Sequence, residues 1–119
     1  MTEITNDNIV SAVNEWHENR ESAITKYGDI KNWDVSQVTD MGGLFKDKQQ
    51  FNEDISGWNV SNVTNMQDMF RNTKAFDQPI GNWNVSNVRT MEEMFYYAKS
   101  FNQPIGDWNV SNVSTMRNM

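Results

Sequence analysis

The residues of this chain whose types could support acid–base chemistry are few and scattered. Adjacent carboxylates occur at Glu53-Asp54 and Glu92-Glu93, and His17 is the single histidine. General acid–base catalysis needs such groups to converge on one substrate with tuned pKa values. The carboxylate pairs do not recur along the chain, no histidine or cysteine accompanies them, and their spacing matches no calcium-binding loop. We therefore expect no enzyme, no catalytic residues, no metal site and no cofactor.

The overall composition narrows the class of partner. The chain has 119 residues, a formal net charge of -6 and no cysteine, which excludes disulfides and thiolate metal sites. Nucleic-acid-binding proteins usually carry a basic surface, so a nucleic-acid partner is not expected. The first residues, MTEITNDNIV, lack a basic segment followed by an apolar one, and no apolar run reaches membrane length. We expect no export signal and no membrane insertion.

A repeat with a period of 25 residues organises most of the chain. Tryptophan recurs at Trp33, Trp58, Trp83 and Trp108, each time at the start of a text such as WNVSNVTNMQDMF. A fixed period of this length is typical of repeat architectures, in which each unit buries the apolar face of the next. Three complete units (33–57, 58–82 and 83–107) and one partial unit (108–119) are predicted.

Within a unit, the apolar spacing changes from one period to another. Trp58 and Val60 alternate with a polar residue, which favours a short strand. Met66, Met69 and Phe70 follow at helical spacing, which favours one or two helical turns. We therefore predict an α/β repeat solenoid of the leucine-rich-repeat type, with short parallel strands on one face and short helices on the other.

Residues 1–32 lie outside the repeat and are predicted to form a helical N-terminal cap. Ile9, Val10, Val13 and Trp16 share one helical face, and a second helix is expected to end at Gly28. A cap of this kind would cover the first unit, whose apolar face is otherwise exposed.

The repeated text resembles a known family. The pattern W-[DN]-V-S-[NQ]-V-x-x-M-x-x-[LM]-F-x(5)-F-[ND]-x-[DP]-I, which spans residues 33–119, is similar to the BspA-like surface-protein repeats, which are relatives of the leucine-rich repeats. The resemblance implies a right-handed solenoid that binds proteins or adheres to surfaces, often at a cell surface. It supplies no catalytic residues.

Two groups of residues are candidates for partner binding. The column that follows each tryptophan should face outward, where it would either contact a partner or form a polar ladder between units. Its members are Asp34, Asn59, Asn84 and Asn109. Tyr96 and Tyr97 lie in a segment that varies between units, so they would form an aromatic contact patch or tuck against the next unit.

Three functions follow from these observations. The first is a non-enzymatic protein-interaction or adhesion module with an unidentified protein partner. The second is a self-assembling unit that forms a homodimer through its last, incomplete unit, unless that unit frays or caps itself. Its candidate residues are Trp108, Val110, Val113, Met116 and Met119. The third is carbohydrate binding, which requires the tryptophan column to be exposed.

Overall fold

The computed structural model describes residues 2–119. Its helices all lie near the N-terminus: α1 spans Ile9–Glu18, α2 spans Arg20–Tyr27, and a single 3₁₀ turn spans Ile30–Asn32. No named strand occurs in residues 2–119, where the only β-type pairing consists of isolated parallel bridges.

The two α-helices have identifiable start and stop signals. Asn19 separates them, and its Oδ1 atom accepts a hydrogen bond from the Ser22 amide in the first turn of α2. Gly28 ends α2 with a φ of 82°, a conformation that only glycine adopts without strain. The buried face of α1 consists of Ile9, Ala12, Val13 and Trp16. Val10, which was predicted on that face, is instead 54% exposed.

The predicted fold class, an α/β repeat solenoid of the leucine-rich-repeat type, is wrong. The part of the chain that the structure describes has two α-helices, both before residue 28, and no sheet. Residues 33–119 consist of turns, with one bridged residue per unit in place of a strand. The radius of gyration is 13.4 Å, close to the roughly 13.5 Å of a compact chain of this length, and the molecule measures 38 × 27 × 20 Å.

The predicted helical turns at Met66–Phe70 fail because the backbone alternates in handedness. Asp68 has a φ of 59° and Asn72 a φ of 58°, so neither can belong to a right-handed helix. The amides of Met66, Asp68 and Phe70 donate to carbonyls of the next unit instead of bonding within a helix. The apolar residues do recur at helical spacing, but their side chains are oriented by successive tight turns and not by a helix.

The predicted strands fail because each one is closed by turns. In the second unit, the Asn59 side chain accepts from the Ser61 amide, and Val63 N–H donates to the Val60 carbonyl at 3.0 Å. A turn inserted after two alternating residues leaves no extended run long enough to form a ladder.

Contacts at a sequence separation of about 25 residues nevertheless hold the units in register. Single parallel bridges join Asp40 to Asn65, Asn65 to Thr90, and Thr90 to Thr115. Each unit also contributes aromatic rings to two stacked columns, with centroids 5.6 to 5.9 Å apart between units. The columns are Phe45, Phe70 and Phe95, and Phe51, Phe76 and Phe101. The recurring apolar residues are therefore the core, and the varying residues lie outside it.

Candidate interaction surface

The tryptophan column is buried and hydrogen-bonded. Trp33, Trp58 and Trp83 are 3 to 4% exposed and Trp108 is 8% exposed. The Nε1–H group of Trp58 donates to the Ile30 carbonyl at 2.8 Å, and Trp83 and Trp108 repeat this bond to the carbonyls of Ile55 and Ile80, each 28 residues earlier. The exposed ladder of rings that carbohydrate binding requires is therefore not present in residues 2–119.

The column after each tryptophan is exposed, as expected, but its polar atoms serve its own unit. Each side chain accepts a hydrogen bond from the amide two residues later, at 3.0 to 3.1 Å, which closes a tight turn. The members are Asp34, Asn59, Asn84 and Asn109. Hydrogen bonds from the Ser36 side chain and backbone lower the pKa of Asp34 below its usual value. The carboxamide nitrogens of the three asparagines have no protein partner among the hydrogen bonds of residues 2–119.

The polar ladder between units is formed by a neighbouring column, three residues further along the chain. Asn62, Asn87 and Asn112 each donate to a serine carbonyl of the preceding unit at 2.7 to 2.8 Å. These side chains line an open groove of about 540 Å³ together with Arg89. At the first unit the N-terminal segment lies at the edge of the same ladder, where the Thr39 amide donates to Asn6 Oδ1 at 3.0 Å.

The segments that vary between units lie side by side on one face. Residues 46–50, 71–75 and 96–100 form what we call the variable strip. Asp47 N–H donates to the Arg71 carbonyl and Asn72 N–H to the Tyr96 carbonyl, at 3.0 and 2.7 Å. Beneath the strip, the buried Thr73 hydroxyl donates to the Phe45 carbonyl at 2.7 Å. The strip is therefore fixed to the core although packing does not dictate its outward residues.

Tyr96 and Tyr97 form one end of the variable strip. Their ring centroids are 4.3 Å apart, and Tyr97 is 56% exposed. The Arg71 guanidinium lies 5.3 Å from the Tyr96 ring centroid and donates to Glu93 at 2.5 Å. The neighbouring Tyr97 side chain is the main cause of a raised pKa at the Tyr96 hydroxyl.

The last unit is less covered than the units before it. Met116 is 41% exposed, and Val110, Val113 and Met119 are half-buried, whereas their equivalents Val60, Val63 and Met69 are buried. Trp108 is 8% exposed and packs against Phe95 of the preceding unit, with ring centroids 6.3 Å apart. Of the five self-association candidates, Met116 therefore presents the most free apolar surface.

The groups that first suggested acid–base chemistry do not meet at one site. Glu53 pairs with Arg20 at 3.7 Å and Glu93 with Arg71, on different units. His17 packs against Phe51 and holds its Nδ1 atom 2.8 Å from the Val13 carbonyl. Burial lowers the pKa of His17. Among residues 2–119, no group of three histidine, aspartate or glutamate side chains is placed to hold a metal ion.

Lys74 and Lys99 are surface residues of the variable strip that the repeat pattern did not single out. They occupy equivalent positions in neighbouring units, and the Ser100 amide donates to the Lys74 carbonyl at 3.1 Å. The concentration of lysine and arginine in the three variable segments of the sequence could have identified them. Both lysines line one open cleft with Arg71, Asn72 and Tyr97.

Comparisons with known proteins place the chain in a family without assigning it an activity. A family model described as "Mycoplasma protein of unknown function, DUF285" matches residues 11–119. No curated protein and no solved structure matches the chain. No helix within residues 2–119 has the length and apolar character needed to cross a membrane.

Proposed function

The chain belongs to the DUF285 family, and because that family's description carries no activity, we propose a function from the surface of this chain: it is a non-enzymatic protein-interaction module. The variable strip is the contact surface, and Tyr96 and Tyr97, at one end of it, make the aromatic contacts with the partner. The likeness of the repeated text to BspA-like surface proteins supports the same class of function.

The observation that carries the proposal is the conformation and exposure of Tyr97. The same position in the two preceding units holds Asp47 and Asn72, and all three residues have a φ near 60°. Aspartate and asparagine tolerate this left-handed conformation, whereas a bulky side chain adopts it at a cost of roughly 1 kcal/mol or more. A large aromatic ring that is both strained and 56% exposed contributes little to folding. Such residues are frequent energetic centres of interfaces.

A selection from a displayed library of random peptides tests this proposal while the natural partner is unidentified. The immobilised wild-type chain should enrich specific peptides, and the double variant Tyr96→Ala/Tyr97→Ala should lose them. A matched variant, Asn59→Asp/Asn84→Asp, changes the exposed asparagine column while keeping its turn-closing oxygen, as Asp34 does in the first unit. Retention of the peptides by the aspartate variant would assign the contact to the tyrosines, and loss would assign it to the asparagine column. The absence of any enriched peptide would refute the proposal.

Self-assembly of a polypeptide that consists of residues 1–119 alone is the second candidate, and a feature of its backbone favours it. In earlier units, the amides equivalent to Met116 and Asn118 donate to the following unit, and the carbonyl equivalent to Ser114 accepts from it. In residues 2–119 these three groups have no backbone partner. The Ser114 carbonyl and the Met116 amide flank Thr115. A two-fold axis at Thr115 would let the Met116 amide of each copy donate to the Ser114 carbonyl of the other copy.

Light scattering over a range of protein concentrations tests this second candidate. A polypeptide of residues 1–119 should form a dimer that Met116→Lys disrupts. Val10→Lys is the matched control, because Val10 is also a half-exposed apolar residue but lies in α1. A monomer at every concentration would refute the dimer and leave the variable strip as the contact surface.

A further inference from the structure

Positive charge is concentrated on the variable strip of an otherwise acidic protein. Its three five-residue segments contain five of the ten lysine and arginine residues but one of the sixteen aspartate and glutamate residues. The formal charge of the strip is therefore +4, and that of the remaining residues is -10. The cations of the strip are Lys46, Lys48, Arg71, Lys74 and Lys99.

Most of this charge is not neutralised within the protein. Arg71 is paired, at 2.5 Å from Glu93 and 3.9 Å from Asp68. In the part of the chain that the structure describes, no carboxylate lies within ion-pair distance of the four lysines of the strip. The one carboxylate of the strip, Asp47, accepts a hydrogen bond from the Asn72 side chain at 2.9 Å. It lines the same cleft as Lys74 and Lys99 but is not within ion-pair distance of either lysine.

The backbone arranges two of these lysines as a pair beside the tyrosines. Lys74 and Lys99 come from adjacent units and line the open cleft of about 360 Å³ that also contains Tyr97. Parallel segments in register lie roughly 5 Å apart, and alternate side chains of an extended peptide are separated by roughly 7 Å. Both ammonium groups therefore lie within reach of two acidic side chains on one extended segment, while its backbone or an apolar side chain contacts Tyr97.

We propose that the variable strip binds an acidic segment of a partner protein, with Lys74 and Lys99 contacting carboxylates and Tyr97 providing the aromatic contact. This inference rests on the proposed function and specifies the chemical class of the partner. A protein segment fits better than a nucleic acid, because the strip is short and the remaining charge of -10 repels a long polyanion. The carboxylates of a protein segment can be confined to the length of the strip, whereas the phosphates of a nucleic acid extend beyond it.

Fluorescence anisotropy with a defined probe tests the inference. The probe is a labelled peptide in which glutamate alternates with serine, and its control has glutamine in place of glutamate. At low ionic strength the full chain should bind the glutamate peptide saturably and the glutamine peptide much more weakly. The affinity for the glutamate peptide should fall as salt is added, because the contacts are exposed.

The strip variant is Lys74→Glu/Lys99→Glu, and the matched control is Lys31→Glu/Arg89→Glu. Both change the net charge by the same amount, and the control residues are exposed and lie outside the strip. The strip variant should weaken binding at least about ten-fold, and the control should change it far less. Urea denaturation of both variants establishes that each is folded before binding is compared.

Three results would overturn the inference. The first is an absence of saturable binding to the glutamate peptide, and the second is equal weakening by the strip and control variants, which would indicate net charge alone. The third is tighter binding to oligothymidylate or to vesicles containing phosphatidylserine. The library selection keeps this inference separate from the proposed function. Enriched peptides that lack acidic residues but still require Tyr96 and Tyr97 would refute the acidic partner and leave the interaction module intact.

Discussion

Two tryptophans that are equally buried should respond differently to the same substitution. Trp16 and Trp58 are each 3% exposed, so replacement by phenylalanine removes a similar volume from the core at both sites. The Nε1–H group of Trp58 donates to the Ile30 carbonyl at 2.8 Å. The Nε1 atom of Trp16 is buried and has no hydrogen-bond partner.

The expected difference follows from the energetics of buried polar groups. Trp58→Phe forfeits one hydrogen bond to the Ile30 carbonyl, which keeps the Trp33 amide as a donor at 3.2 Å, so the loss costs about 0.5–1.5 kcal/mol beyond the cavity term. Trp16→Phe removes a buried donor without a partner, so its polar contribution is favourable and offsets part of the same cavity term. It also weakens the contact of Arg20, 4.7 Å from the Trp16 ring, by about 0.5 kcal/mol. We expect Trp58→Phe to be more destabilising than Trp16→Phe by about 1–4 kcal/mol.

Urea denaturation followed by far-ultraviolet circular dichroism measures this difference in the free energy of unfolding. The comparison requires equal dependence on denaturant concentration for the two variants, which shows that the unfolded states are comparable. Equal destabilisation by the two substitutions would refute the reasoning. It would mean that the hydrogen bond from Trp58 to the Ile30 carbonyl contributes nothing to stability.

Three further predictions concern other parts of the molecule. A Cβ atom at Gly81 would lie 2.3 Å from the Pro104 carbonyl of the next unit, whereas one at Gly106 would have no neighbour within 4 Å. Gly81→Ala should therefore lower the free energy of unfolding, measured by heat or urea, by about 1–3 kcal/mol, and Gly106→Ala should hardly change it. Equal effects would contradict the stacking of these units. Burial is the main cause that lowers the pKa of His17 below its value of 6.5 in the unfolded chain; among the smaller effects, the Val13 carbonyl and Glu53 raise it, whereas Lys48 and Arg20 lower it. Stability should thus be full above pH 6.5 and fall as the pH drops from there towards the folded pKa. A pH profile that His17→Gln leaves unchanged would exclude this histidine as the cause. Tyr97→Asn should leave the free energy of unfolding unchanged or raise it by up to about 1 kcal/mol while weakening binding of selected peptides, and clear destabilisation in urea would show that the ring supports the fold instead.

The sequence predicted which side chains are buried better than it predicted the backbone that carries them. The columns of tryptophan, valine, methionine and phenylalanine recur because each member packs against its equivalent in the next unit. The same spacing predicted a strand and a helix, and both predictions were wrong. Apolar periodicity indicates which side chains face the core. It does not distinguish whether a helix, a strand or a run of turns points them there.

The left-handed residues show why the backbone was misjudged. Asp68, Glu93 and Asn118 occupy one such column and have φ values of 55° to 59°. Only Gly43, at the equivalent position of the first unit, is the residue type that signals this conformation. One glycine in four units was too weak a signal to override a helical apolar pattern.

The candidate contact residues were partly accessible to sequence reasoning. Variation between units identified the segments that contain Tyr96 and Tyr97, and the structure places both at the surface. The polar ladder considered for the column of Asn59 is formed instead by the column of Asn62, because the two side chains differ in whether they reach their own turn or the preceding unit. That difference depends on the stacking geometry, which the spacing of residues in the chain does not contain.

Mapping a bound peptide by nuclear magnetic resonance would test the central claim most directly. The isotopically labelled chain would be titrated with a peptide enriched in the library selection, and the shifts of its backbone amides would be followed. We expect the largest changes in residues 71–75 and 96–100, with little change in residues 108–119. Changes confined to the last unit or to the asparagine groove, with the variable strip unaffected, would contradict the assignment of the strip as the contact surface.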